Sequence, residues 1–91
     1  MKKKIVERIE RVFKGAANHN RVEILDYIAT ANDTTLWQIS QELEIDFRLV
    51  SHHTEILESA GLIEKQYVGR SVMHFLTPYG KAVVDFFKIL S

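Results

Sequence analysis

Three side chains in one short run, Arg48, Ser51 and His52, are spaced to share one face of a helix, and all three donate hydrogen bonds. An arginine can give two parallel bonds to guanine O6 and N7, while serine and histidine can reach base edges or phosphates. Phe47, one residue earlier, offers a ring that suits a thymine methyl or a place tucked under the preceding turn. Further on, Gly69-Arg70 puts a guanidinium in a tight turn, where it suits a narrow, negative, A·T-rich groove. Lys65 and His74 are expected to add to that face. This is the chemistry of recognition rather than of turnover.

Other chemistries find little support. The four glycines are scattered, so no phosphate-cradling loop is encoded, and no Ser–His–acid set has a supporting context. Zero cysteines excludes disulfides, thiolate metal sites and a cysteine nucleophile together. His19, His52, His53 and His74 show no ligand spacing. His52 and His53 are adjacent, and adjacent helical side chains point about 100° apart. No catalysis, no metal and no cofactor are expected.

The elements that must position these groups read clearly. Thr35 to Leu43 is a helix opened by a capping box, with the Thr35 hydroxyl and the Gln38 side chain serving each other's backbone N–H. Leu36, Ile39 and Leu43 are its buried stripe, and the single tryptophan, Trp37, is expected in the core, the alternative being a surface place near a DNA backbone. Glu44 to Asp46 is the turn. Asp46 caps a second helix, Phe47 to Gly61, with Ile45 and Val50 at hydrophobic-staple spacing. A period of 3.6 turns Leu49, Val50, His53, Ile56, Leu57 and Ala60 inward and leaves Phe47, Arg48, Ser51, His52 and Glu55 outside. Gly61 fits the left-handed position that ends a helix. Leu62 to Leu76 then alternates as a hairpin turning at Val68 to Ser71.

On either side lie three more helices. Lys2 to Lys14 is amphipathic, with Ile5, Ile9, Val12 and Phe13 on one face and Gly15 as its stop. Asn18 caps a helix over Arg21 to Thr30, burying Val22, Ile24, Leu25, Ile28 and Ala29 and ending at Asn32-Asp33. Thr77 and Pro78 open the last helix, whose Val83, Val84, Phe86, Phe87, Ile89 and Leu90 are more apolar surface than one small core can hide. Such surplus marks a partner.

The chain is one domain's worth, 91 residues, with 46% hydrophobic residues and a net charge of zero. It has no apolar run of about 18 residues for a membrane span, and no apolar stretch follows Met1-Lys2-Lys3-Lys4 as in a leader, so a cytoplasmic location is expected. Neutrality is awkward for a polyanion binder, whose affinity comes from counterions released at phosphate contacts. The charge is uneven, however. Residues 1 to 14 carry six basic side chains against Glu7 and Glu10, whereas residues 15 to 46 carry Arg21 against six acids.

The run Val50-Ser51-His52-His53, then Leu57, then Ala60-Gly61-Leu62-Ile63, followed by Gly69-Arg70, resembles the signature of ArsR-like regulators. Asn18-His19-Asn20-Arg21 to Leu25 resembles the segment that opens their conserved core. Thr54 departs, since a leucine is usual there, and looser packing is expected from it. The resemblance covers residues 17 to 80 and implies a mainly α winged helix-turn-helix fold in the order α-α-α-α-β-β-α. It implies that Arg48, Ser51 and His52 face double-stranded DNA, that Arg70 lies at the wing tip and that His53 is structural. It also implies a homodimer built on the first and last helices.

The expectation is therefore a single domain over 1–91, with 35–61 as the helix-turn-helix and 62–76 as the wing. Residues 1–15 and 78–90 are its dimer elements. Thr35, Gln38, Phe47, Arg48, Ser51, His52, Lys65 and Arg70 form the DNA face. Ile5, Ile9, Val12, Phe13, Val83, Phe86, Phe87 and Leu90 form the dimer face. The expected activity is promoter occupancy by a repressor without metal sensing, with any effector a small molecule or a protein. A module of the same fold that binds protein instead is the alternative, favoured by the neutral net charge, by Glu42, Glu44 and Glu55, and by an exposed Phe47.

Overall fold

The computed structural model describes residues 1–91. Five helices and one hairpin follow in the order α1 (Lys3–Ala16), α2 (His19–Ala31), α3 (Leu36–Leu43), α4 (Phe47–Ser59), β1 (Ile63–Val68), β2 (Ser71–Leu76) and α5 (Pro78–Leu90). Helix starts are set by local side chains that satisfy the orphan N–H groups of a first turn. The Asn18 carboxamide oxygen accepts from the N–H of Asn20 and Arg21, and the Asp46 carboxylate from that of Arg48. Thr77 Oγ1 accepts from Gly80 N. The capping box at Thr35 is complete, with Gln38 N donating to Thr35 Oγ1 and Thr35 N donating to Gln38 Oε1.

Two left-handed residues end the helices around the turn: Glu44 at φ 54° closes α3 and Gly61 at φ 78° follows α4. At Gly61 the N–H bonds Glu58 O and the next N–H, of Leu62, bonds Leu57 O, at 2.9 and 3.0 Å. That paired pattern is the Schellman closure, and only glycine takes its backbone angle without strain.

The core is contributed by every element. Ile24, Leu25 and Ile28 of α2 form its centre. Ile39, Val50, Leu57, Leu62, Ile63 and Val84 close around them, all essentially without solvent contact. β1 and β2 pair antiparallel in a register that sets Ile63 opposite Leu76, Lys65 opposite His74 and Val68 opposite Ser71. Gly69 at φ 62° makes the reversal, and Arg70 keeps a negative φ. This is the type II′ pattern that matches strand twist. At its root the hairpin gains a third partner, because Thr34, just ahead of α3, bridges His74 on β2.

The structure departs from the sequence expectations at several positions. Gly15 does not stop α1; it lies inside the helix and buried, where a Cβ would meet Ala60 Cβ at 2.5 Å. The glycine is there for close approach of α1 to α4. Trp37 is not core but 62% exposed. It lies about 100° around α3 from Leu36 and two residues before Ile39, the stripe's next member, off the buried face. Leu49, expected inside, is 41% exposed, and Val22 is at the surface. His74 is buried rather than part of the wing's outer face. Thr54 is buried, and its hydroxyl donates to Ser51 O at 3.0 Å.

Candidate nucleic-acid interface

The helix-turn-helix is held by contacts on its inner side. Arg21, the last residue of the Asn18–Arg21 segment, spans three helices. Its Nε donates to Gly15 O at 2.6 Å and its Nη2 to Lys14 O at 3.5 Å, at the C-terminal turn of α1. Its Nη1 meets His53 Nδ1 on α4 at 3.0 Å. A guanidinium can only donate, so His53 Nδ1 is the acceptor and the ring proton sits on Nε2. Burial first, then the positive charge of Arg21, with smaller effects of His52 and His19, pushes the His53 imidazole below its ordinary value. His53 is therefore neutral and structural. The two ends of this clamp lie 32 residues apart, so no local sequence pattern signals it.

A second buried histidine ties the wing to the helix-turn-helix. His74 N and Nδ1 both lie within reach of Thr34 O, at 2.8 and 3.1 Å. Donation from Nδ1 fixes the neutral tautomer. Burial lowers its pKa, opposed by that hydrogen bond, with Lys65 lowering and Glu58 raising it less strongly.

What these contacts present to solvent is the outer side of α4 and the wing. Phe47, Arg48, His52 and Glu55 are exposed, and Ser51 is half-buried. Arg48 and Arg70 have no carboxylate partner in the chain. Arg70 stands at the hairpin tip beside the exposed Tyr67 and Val68. Lys65 is exposed but held 3.5 Å from the Glu58 carboxylate of α4. A half-exposed pair of that kind contributes little, so Lys65 can exchange partners at small cost. Thr35 and Gln38 have spent their oxygens in the α3 cap, and Gln38 Oε1 also accepts from Thr34 Oγ1 at 3.2 Å. Trp37 and Phe47 stand side by side, ring centroids 6.5 Å apart and tilted by 48°.

On the far side, α1 and α5 line an open apolar groove of about 490 Å³ that includes Ile9, Val12, Phe13, Val83, Phe86 and Leu90. Ile5 is exposed further along α1. No three His, Asp or Glu side chains come together as a metal-binding group. No helix is long and apolar enough to cross a membrane.

The model of the bacterial arsR regulatory protein family matches residues 18–65, just over half of the chain and all of the segment from the Asn18 cap to the first wing strand. The chain belongs to the ArsR family. It has the winged helix-turn-helix of a transcriptional regulator. Among solved structures it is similar to HlyU from Vibrio cholerae, at 23% identity and TM-score 0.85, over 98% of this chain and 97% of that one. The transcriptional repressor PagR of Bacillus anthracis superposes at 0.87 with 16% identity, over 94% and 99%. A homodimeric winged helix-turn-helix DNA-binding domain from Mycobacterium bovis superposes at 0.80 with 24% identity, over 94% and 77%. At such identities the likeness is one of fold. A comparison with curated protein sequences gave no match.

Proposed function

We propose that this ArsR-family protein is a sequence-specific reader of double-stranded DNA that works as a homodimer and represses by occupying a promoter, with no metal in its control. The observation that carries the reading is the bare outer side of α4, where Arg48 and His52 stand exposed and Arg48 lacks any internal partner. A recognition helix lays such a side in the major groove with its N-terminal residues on base edges. Arg48, Ser51 and His52 read or position there, with Phe47 beside them. Arg70 and Lys65 hold the flanking backbone or minor groove. Thr35 and Gln38 bring the α3 N-terminus to phosphate, through backbone N–H groups and the Gln38 amide nitrogen.

The groove between α1 and α5 supports the dimer. Phe13, Phe86, Ile89 and Leu90 lie open to solvent in the single chain, and a second copy related by a two-fold axis covers them. Recognition helices then fall about 34 Å apart, on successive major grooves of a palindrome. Phe87→Asp places a charge in this groove and is expected to split the dimer. Sedimentation of the variant as a dimer would place the interface elsewhere.

The deciding experiment is fluorescence anisotropy with the duplex upstream of the protein's own gene and a scrambled duplex, at two salt concentrations. Tighter binding to the native duplex that weakens steeply with salt is expected. A second reading, a protein-binding module, draws on the Lys65–Glu58 pair and the exposed Glu42, Glu44 and Glu55. Absence of binding at either salt would favour it.

A further inference from the structure

The Trp37–Phe47 pair is the least explained feature of the helix-turn-helix. Trp37 is 62% exposed and Phe47 44% exposed, so two adjacent rings are left in water at the start of α3 and α4. Neither is needed by the core, which is complete without them. Phe47 is the first residue of α4 and precedes the unpartnered Arg48. The N-terminal turn of a recognition helix is the part that meets base edges.

The charges around the pair narrow what it meets. Asp46 sits immediately before Phe47 with its carboxylate on the α4 N-cap, and Glu44 is exposed in the turn. Carboxylates at the start of α4 disfavour a phosphate beside Phe47. The major groove offers one uncharged, apolar feature, the 5-methyl group of thymine. We infer that Trp37 and Phe47 together form an apolar clamp for thymine 5-methyl groups, and that this makes the protein select T at the base pairs next to those read by Arg48. The inference rests on the DNA-reading proposal and adds to it a base preference and a residue, Trp37, outside the expected DNA face.

The test uses a duplex enriched by the full-length protein from a random-sequence pool, synthesised once with thymine and once with deoxyuridine throughout. Uracil lacks the methyl and keeps the same hydrogen-bonding edge. Burying a methyl corresponds to about fourfold in affinity, so the uracil duplex is expected to bind about fourfold more weakly for each methyl contacted. Phe47→Ala and Trp37→Ala, two surface changes whose folding is checked by thermal melting, are each expected to bring the thymine-to-uracil ratio towards one. A change of duplex shape caused by uracil would persist in both variants. The emission of Trp37, the single tryptophan, is expected to shift on binding the thymine duplex. Equal affinity of the wild type for the two duplexes overturns the inference while DNA reading stands. So does a ratio unchanged in both variants, which would assign the rings to a protein contact. Failure to enrich any sequence overturns the inference and the DNA-reading proposal together.

Discussion

His52 and His53 are neighbours in the chain, with ring centroids 5.5 Å apart, yet one ring is exposed and the other buried. His53 is buried and accepts from Arg21, whose guanidinium also holds the end of α1. His52 is exposed and is bonded to nothing in the chain. The rest of α4 divides in the same way. Val50, Thr54 and Leu57 face the interior, while Arg48, Ser51 and Glu55 face outward. The residues that carry the family signature are mostly those of the inner side. They specify how the helix is mounted.

Substitutions on the two sides should therefore separate stability from binding. Leu57→Ala removes a side chain with no solvent contact, and a loss of about 2–5 kcal/mol is expected in urea unfolding. A loss below about 1 kcal/mol would mean that α4 is not clamped by the core. Arg21→Ala leaves the Gly15 carbonyl and His53 Nδ1 without their donor, and about 1–3 kcal/mol is expected. Unchanged unfolding would show that the three-helix clamp is idle.

Acid sharpens the contrast further. His53 and His74 both have pKa values lowered from the ordinary 6.5. The unfolded chain takes up protons as pH falls through about 6.5, while the folded chain resists until lower pH. Stability is therefore complete above that value and declines below it, towards the depressed folded values. Urea midpoints at pH 7.5 and 5.5 are expected to differ, with the difference reduced in Arg21→Ala because one cause of the His53 shift is gone. Identical midpoints in the wild type would sink this account. The smallest effect on stability is expected at the wing tip. Arg70→Ala should change unfolding by no more than about 0.5 kcal/mol and lower the salt slope of DNA binding by about one unit per lost phosphate contact. An unaltered slope would remove the tip from the interface.

Legibility in the sequence followed the range of each interaction. The caps at Asn18, Thr35, Asp46 and Thr77 were readable because a cap and its target lie two or three residues apart. Gly61 was readable for the same reason. The partners of Arg21 and His74 were not, since they lie 32 and 40 residues away and depend on how helices cross. The surface place of Trp37 follows from helical phase, its offset from Leu36, Ile39 and Leu43, and not from the usual burial of a single tryptophan in a small domain. The outer side of α4 was legible as exposed, but a sequence shows only which side chains are offered, not which base each meets.

The absent side chain at Gly15 has a consequence for the length of the DNA site. The α1 backbone meets the Ala60 side chain at the end of α4 there, with no room for a further atom, so the helix proposed to join two copies is seated directly against the end of the helix proposed to read bases. In a two-fold dimer built on α1, the stride from the axis to each major groove is measured through that contact. Under that proposal, an added methyl at Gly15, which would meet Ala60 Cβ at 2.5 Å, is expected to change the preferred distance between half-sites from a position remote from the proposed DNA face.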